Sequence, residues 1–218
     1  MDNHTNYYEV LILNPQTQTI SVTLKFNISS MEKVKIQMPV WTPGSYKVRD
    51  FSRHISNEQI FIDGEIVDFT RTDKCTWDID NLENGKVIQF KYEVYAHEMT
   101  VRTSFVDHTQ AILNGASVFV YCPDKKENNI ELHLDYPKSW TNIVTGLQFN
   151  ESQRLFFAHN YDELIDTPIL IGNSEIHNFE VSKIPHQFAI VGKGNYEIEP
   201  ILKDTNIIIG EFENLFGD

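Results

Sequence analysis

The chain has 218 residues, of which 31 are acidic and 18 are basic, so its formal net charge is −13. This balance argues against a nucleic acid or an anionic membrane as a partner, because phosphate binding needs clustered Lys and Arg. Hydrophobic residues make up 41% of the chain, far more than in a disordered protein. Length and composition therefore indicate a globular protein with one large domain, or with one domain and part of another.

The cysteines and the first residues bear on the cellular compartment. Cys75 and Cys122 are too few for a disulfide framework in a chain of this length, so we expect two reduced thiols packed as small apolar groups. Residues 1–8 show no basic segment followed by an apolar run, and hence no signal peptide. No uncharged stretch approaches the ~20 residues that cross a bilayer. We expect a cytoplasmic protein, unless a signal peptide has been removed from this sequence.

Apolar and polar residues alternate along most of the chain, as they do in antiparallel strands with one buried face. In Thr19–Phe26 the residues at 20, 22, 24 and 26 are apolar, and Val87–Tyr95 repeats the pattern. Turn dipeptides such as Asp63-Gly64 separate the alternating segments. The whole predicts a mainly β protein, an antiparallel, saddle-like β-sandwich. Further strands are predicted at Tyr7–Leu13, Val34–Met38, Gln59–Ile62, Cys75–Ile79, Ser117–Tyr121, Ile130–Leu134, Arg154–Phe157, Ile169–Ile171, Ile176–Val181 and Gln187–Val191.

The dipeptide Asn84-Gly85 predicts a specific pairing of strands. It stands just before Val87–Tyr95, and Asn-Gly is the strongest short signal for a two-residue hairpin turn. We therefore expect Cys75–Ile79 and Val87–Tyr95 to pair as a hairpin.

The spacing of apolar residues changes near the end of the chain. Ile198–Phe216 has its apolar residues three and four apart, and Pro200 is compatible with the first turn of a helix. This predicts a C-terminal amphipathic helix. The helix either docks on the β-sheet or begins a further domain.

A tight reversal is predicted at Thr42–Ser45. Pro43 presets its own φ, and Gly44 supplies the positive φ of a type II turn. In a purely structural interpretation, Trp41, Pro43 and Gly44 form a turn that buried aromatic residues hold in place. Arg49 would then pair with the adjacent Asp50 or with another carboxylate.

The decapeptide Trp41–Asp50, WTPGSYKVRD, resembles the signature of the N-terminal domain of the glycyl aminopeptidase family. These enzymes are zinc metallopeptidases of the gluzincin class and often carry a C-terminal PDZ domain. The similarity covers nearly the whole chain and keeps the order of the family's segments. It continues through Tyr92–Ala96, Thr100–Phe105, Ala111–Phe119, Trp140–Leu147, Tyr161–Pro168 and Ile184–Gly192.

The resemblance implies a division of the chain and a role for it. Residues 1–173 would be a β-saddle domain, and residues 174–218 the first strands and helix of a thermolysin-like catalytic domain. The saddle would pack on that catalytic domain, close one side of its cleft and lend a polar side chain to a peptide substrate. The full-length protein would be a metallo-aminopeptidase, with zinc in the catalytic domain and a preference for N-terminal glycine or alanine.

The zinc motif of these enzymes, HExxH, does not occur in the sequence. His97-Glu98 matches only its first half, because Val101 stands where the second histidine would be. We therefore predict no metal ligands and no catalytic residues in this chain, which should be inactive alone.

Four residues are candidates for substrate binding: Tyr46, Arg49, Asn114 and Gly115. By the resemblance, the loop with Tyr46 and Arg49 would form part of the cleft wall. The Asn114 side chain can donate to a carbonyl and accept from an amine at once. An ordinary turn at Asn114-Gly115 is the alternative interpretation.

A binding module is the alternative to the peptidase domain. A free-standing β-sandwich could bind carbohydrate or a protein partner, with Trp41, Trp77 and Trp140 as stacking surfaces. Such a module should bury the apolar face of the 198–216 helix, whereas a peptidase fragment should leave it uncovered.

Overall fold

The alternating segments form strands in the computed structural model, which describes residues 4–28, 33–42, 44–80, 82 and 85–217. The chain forms two compact units, Met1–Gly172 and Asn173–Asp218. The first unit contains β1 (Thr5–Leu11), β2 (Thr19–Asn27), β3 (Lys33–Gln37), β4 (Ile55–Ile62), β5 (Glu65–Val67), β6 (Thr70–Arg71), β7 (Thr76–Asp80), β8 (Val87–Tyr95), β9 (Phe105–Val106), β10 (Gln110–Leu113), β11 (Asn129–Asp135), β12 (Asn142–Thr145), β13 (Gln148–Asn150), β14 (Leu155–Ala158), α1 (Tyr161–Asp166) and β15 (Ile169–Gly172). The second contains β16 (Glu175–Val181), β17 (Ile184–Ile190) and α2 (Ile198–Phe216).

The main sheet has the strand order β13-β14-β11-β1-β2-β8-β4-β5. Its pairs are antiparallel except β1 with β11, which run parallel. β2 and β8 pair over their full length, from Thr19 opposite Tyr95 to Asn27 opposite Val87. The residues at 20, 22, 24 and 26 of β2 and at 88, 90, 92 and 94 of β8 are buried, as the alternation predicts.

Two smaller sheets, β12-β15-β10-β9 and β3-β7-β6, complete the β structure of the first unit. Trp77 of β7 lies against Phe90 of β8, with ring centroids 5.2 Å apart, so side chains of different sheets share one core. The predicted fold class, a mainly β sandwich with antiparallel sheets and a C-terminal helix, is confirmed.

The predicted hairpin of Cys75–Ile79 with Val87–Tyr95 is wrong. β7 pairs with β3 and β6, whereas β8 pairs with β2 and β4. Residues 76–79 are all buried, so β7 has both faces covered. An exposed hairpin partner of β8 would not need both of its faces covered. Asn84 lies outside the described residues. The hairpin next to β8 in the sheet is instead β4–β5, whose turn residues Asp63 and Gly64 have φ of 50° and 91°.

The predicted strand Ser117–Tyr121 is also wrong. Ser117 ends a 3₁₀ turn that begins at Gly115, and the segment Val118–Val120 belongs to no sheet. Only Tyr121 pairs, through an isolated bridge to Gln37. The apolar composition is strand-like because the segment is fully buried.

Along this buried segment, side-chain hydroxyls take the place of the backbone hydrogen bonds that a paired strand would provide. Tyr92 donates to the Val118 carbonyl at 2.8 Å and accepts from the Val120 N–H at 3.1 Å. Tyr161 donates to the Phe119 carbonyl at 2.6 Å, and Tyr8 to the Val120 carbonyl at 2.7 Å. Burial raises the pKa of all three tyrosines, which keeps the hydroxyls protonated as donors.

The free cysteines agree with the expectation of small packed thiols. Cys122 is buried, and burial raises the pKa of its thiol to about 11. Cys75 is partly buried, with its sulfur 3.3 Å from the Ser52 hydroxyl.

The second unit is a hairpin followed by a helix. β16 and β17 pair through a turn at Ser182 and Lys183, with φ of 49° and 70°. The helix α2 covers the predicted range, and its Asn206 side chain donates to the Glu180 carbonyl at 3.0 Å. The apolar residues exposed on α2 are Ile207, Ile208, Phe212, Leu215 and Phe216. Within the described residues, no helix has the length and apolar character to cross a membrane.

Tyr92→Phe should lower the free energy of unfolding by about 2 kcal/mol, because it leaves a buried carbonyl and a buried N–H without partners. Urea unfolding followed by circular dichroism measures the change. Tyr95→Phe, on the same strand, is the control: its hydroxyl contacts Gln18 at 3.4 Å, and the residue is 45% exposed. Its effect should stay below about 0.5 kcal/mol. Equal losses in the two variants would contradict the role of the Tyr92 hydroxyl.

Candidate functional site

The segment Trp41–Asp50 leaves β3 and leads into a 3₁₀ turn at Phe51–His54. The Ser45 N–H donates to the Thr42 carbonyl at 3.1 Å, and the Trp41 indole N–H donates to the Ser45 carbonyl. Gly44 has φ of 75°, the value that a type II turn requires at this position. The predicted turn is therefore present, with Pro43 outside the described residues.

The aromatic residues of this segment are not buried, contrary to the structural interpretation of the turn. Trp41 is 48% exposed, and Tyr46 is fully exposed. The buried residues are instead the polar Thr42 and Ser45, which close the turn by a hydrogen bond. Backbone and indole hydrogen bonds thus hold the turn, and its aromatic rings remain available for contacts.

The carboxylate pairing expected for Arg49 is also absent among the described residues. The neighbouring Asp50 lies 3.4 Å from Lys74 Nζ instead. The Nε atom of Arg49 is buried and has no hydrogen-bond partner among the residues that the structure describes. Arg49 is therefore a half-buried cation that forms no ion pair with a carboxylate of the described residues.

Asn114 holds the loop of residues 98–104. Its side-chain N–H donates to the Val101 carbonyl at 3.0 Å, and its backbone N–H donates to the Ser104 hydroxyl at 2.9 Å. Its backbone carbonyl accepts from the Ser117 hydroxyl at 2.9 Å. The side-chain oxygen of Asn114 is buried and lacks a donor within the described ranges. Asn114 thus keeps a free acceptor while its donors fix the loop.

Gly115 is buried and packs against helix α1. A Cβ atom there would lie 2.6 Å from Ile165 Cα and 2.8 Å from the Leu164 carbonyl oxygen. Glycine is required at this close approach, which explains the residue structurally. Contact of its backbone with a substrate stays a prediction.

The 98–104 loop connects two of the predicted binding residues, Arg49 and Asn114. Its Glu98 and Thr103 line a cavity of about 300 Å³ together with Arg49, and Ser104 hydrogen-bonds Asn114. Tyr46 stands outside this cavity. We call it the Arg49 cavity, and its walls are Val48, Arg49, Asp50, Phe51, Arg53, Glu98 and Thr103.

A cluster of charged and aromatic side chains beside the cavity was not predicted. Arg53 donates to His54 Nε2 at 2.9 Å and lies 3.4 Å from Glu98. The ring of His97 stacks on Tyr95 at 4.4 Å and lies 5.2 Å from the ring of His54. In the sequence, His97-Glu98 is only the first half of a zinc motif, and nothing there relates it to residues 53–54. No group of three potential metal ligands occurs in the described part of the chain.

Comparison with known proteins identifies the chain. The sequence model of the peptidase M61 N-terminal domain matches residues 7–173. The chain belongs to this family. The resemblance based on Trp41–Asp50 is thereby confirmed: this is an N-terminal domain of the zinc aminopeptidase type. No curated protein matches the chain.

Solved structures similar to this M61 N-terminal domain include an aminopeptidase N family protein from Idiomarina loihiensis. It is 27% identical with a TM-score of 0.88, over 98% of this chain and 37% of that protein. An M1 zinc metallopeptidase from Deinococcus radiodurans is 9% identical with a TM-score of 0.53, over 99% of this chain and 53% of that one. A variant of the latter was solved with a Tyr-Ser-Ala substrate, and it has 9% identity and a TM-score of 0.52. The second and third show the fold alone. The chain thus spans between a third and about half of these structures.

Gly115→Ala should lower the free energy of unfolding by about 2 kcal/mol, because the added Cβ overlaps the α1 backbone. Gly210→Ala is the control, since nothing lies within 4 Å of the added atom. That change should strengthen α2 by about 0.5–1 kcal/mol. Thermal unfolding of both variants tests this, and an unchanged melting temperature in Gly115→Ala would contradict the close approach.

Acidification should destabilise the protein through His54. Burial, and then the neighbouring Arg53, lowers the pKa of His54 below its usual 6.5, so the folded state favours the neutral ring. Below about pH 6.5 the unfolded chain binds more protons at this residue than the folded chain does. The free energy of unfolding therefore decreases as the pH is lowered. Between about pH 7.5 and pH 5.5 the wild type should therefore lose more in melting temperature than His54→Gln. Parallel losses in the two proteins would exclude the effect.

Proposed function

We propose that this chain is the non-catalytic N-terminal part of a zinc-dependent aminopeptidase and forms one wall of its substrate cleft. The observation that carries the proposal is the match of residues 7–173 to the peptidase M61 N-terminal domain. The proposed partners are the catalytic domain of the same polypeptide and a peptide substrate. The zinc ion belongs to that catalytic domain, because the sequence of this chain contains no HExxH.

The exposed side chains around the Arg49 cavity support a role in contacts. Tyr46 is fully exposed, Val48 is 76% exposed and Val101 is 81% exposed. All three stand on segments whose backbones are fixed by hydrogen bonds. We propose that these three side chains contribute to one surface that binds a partner, as contiguous exposed apolar patches do. Tyr46, Arg49, Asn114 and Gly115 remain the proposed substrate-binding residues.

The organisation of the chain supports the proposed division into residues 1–173 and 174–218. The two compact units meet at Gly172 and Asn173, one residue from the boundary that the family resemblance implies. The exposed apolar residues of α2 fit the beginning of a catalytic domain whose remainder covers them. A preference for N-terminal glycine or alanine, a PDZ domain further along the protein and a cytoplasmic location are part of this proposal.

For the alternative, a carbohydrate-binding module, two of the three tryptophans expected as stacking surfaces are buried. Trp77 is fully buried, and Trp140 is 3% exposed. Trp41 is partly exposed, but its indole N–H is occupied by the Ser45 carbonyl. Sugar binding on tryptophan platforms would therefore rest on a single side chain.

The test is the activity of the complete protein, expressed with whatever coding sequence follows Asp218. It should release N-terminal glycine or alanine from peptide amides, and a zinc chelator should abolish the activity. Tyr46→Ala and Asn114→Ala should each raise KM about fivefold or more, because both remove contacts to the substrate. Phe149→Ala removes an aromatic side chain that is 51% exposed on strand β13, and it should change KM less than about twofold.

Two results would refute the proposal. One is a stop codon directly after Asp218, and the other is a complete protein without chelator-sensitive peptidase activity. Unchanged KM values in both site variants would keep the peptidase assignment and remove these residues from the cleft.

A further inference from the structure

The Arg49 cavity contains a cation that nothing in the described chain neutralises. Acidic residues outnumber basic ones by 31 to 18, so carboxylates are not scarce. Even so, the guanidinium of Arg49 has no ion pair, and its Nε atom is buried without an acceptor among the described residues. A buried donor without an acceptor is costly, which makes the site favourable for an acceptor from outside.

The carboxylates in the cavity wall are engaged elsewhere. Asp50 lies 3.4 Å from Lys74 Nζ. Glu98 lies 3.4 Å from the Arg53 guanidinium and 3.7 Å from His97 Nε2. Both therefore have a cation of their own, and neither is within ion-pair distance of Arg49.

We propose that the Arg49 cavity is a binding site for a carboxylate group. A guanidinium presents planar, parallel N–H donors that match the two oxygens of a carboxylate, and such bonds are among the strongest in proteins. Arg49 is the anchor, and Thr103 of the 98–104 loop also lines the cavity. All residues of this site belong to this chain, so the site does not depend on the proposed role in the substrate cleft.

The size and walls of the cavity restrict the ligand. A volume of about 300 Å³ is at the small end of ligand pockets, which span roughly 300–1,000 Å³. Val48 and Phe51 are the apolar residues of its lining, and they suit a methylene or methyl group next to the carboxylate. Asp50 and Glu98 disfavour a second negative charge. The ligand class is thus a small monocarboxylate such as the end of a peptide or a single acidic side chain.

The test is an NMR titration of the isolated, isotope-labelled chain with three probes. N-acetylglycine presents a main-chain carboxylate, and N-acetylaspartic acid α-amide presents a side-chain carboxylate. N-acetylglycinamide is their neutral counterpart. At least one carboxylate probe should shift the backbone amides of residues 48–51 and 103 in a saturable way, whereas the neutral amide should not. Whichever carboxylate probe binds more tightly identifies the source of the group.

Variants distinguish an effect of the guanidinium group from an effect of positive charge alone. Arg49→Gln should weaken binding at least tenfold, and Arg49→Lys should weaken it less, because the charge remains while the fork is lost. Arg154→Gln removes the same charge from an exposed turn and should leave affinity within about twofold. Thermal melting verifies that each variant is folded.

Three results would overturn the proposal: equal shifts by the neutral amide, no saturable shift below about 50 mM probe, or unchanged binding by a folded Arg49→Gln. Should Arg49→Gln fail to fold, the comparison of charged and neutral probes on the wild type still decides. None of these readouts uses peptidase activity, so failure here leaves the cleft role intact. Conversely, loss of the cleft role leaves this site untouched.

Discussion

The need to satisfy the backbone of a buried, non-strand segment organises the first unit. Val118–Val120 pairs with no strand among the described residues, and an unpaired peptide group in a dry core costs free energy comparable to a lost hydrogen bond. The hydroxyls of Tyr8, Tyr92 and Tyr161 meet this need. They come from β1, β8 and α1, elements far apart in the sequence, so a single segment ties them together.

The candidate site is built on the end of that segment. The carbonyl of Gly115 accepts from the N–H groups of Val118 and Phe119, and this fixes the 3₁₀ turn at the point where it touches α1. Asn114 precedes the turn and holds the 98–104 loop, which forms one wall of the Arg49 cavity. The 98–104 loop is therefore held in place by a residue at the edge of the buried core, whereas the turn at Thr42–Ser45 is held by its own hydrogen bonds.

The strands and the family were accessible from sequence because both depend on local patterns. Alternation over Thr19–Phe26 and the decapeptide Trp41–Asp50 each carry their information within a few residues. The strand predicted at Ser117–Tyr121 is wrong because an apolar composition indicates only that a segment is buried. It does not indicate whether the backbone hydrogen-bonds a strand or a side-chain hydroxyl. The Arg53–Glu98 contact joins residues 45 apart, and no periodic pattern encodes such a pair. The type II turn was predictable from Gly44, but the exposure of Tyr46 depends on what lies around the turn.

The parallel pairing of β1 with β11 has a consequence for biosynthesis. β1 stands between β2, which follows it directly, and β11, whose residues come more than a hundred positions later. As the chain leaves the ribosome, β1, β2, β4, β5 and β8 can assemble first, which leaves the outer edge of β1 open until β11 arrives. An open edge of this kind offers unpaired N–H and C=O groups to which another chain can add. The slow, long-range closure of this edge makes the newly synthesised chain most vulnerable to aggregation in the interval before residue 135 emerges.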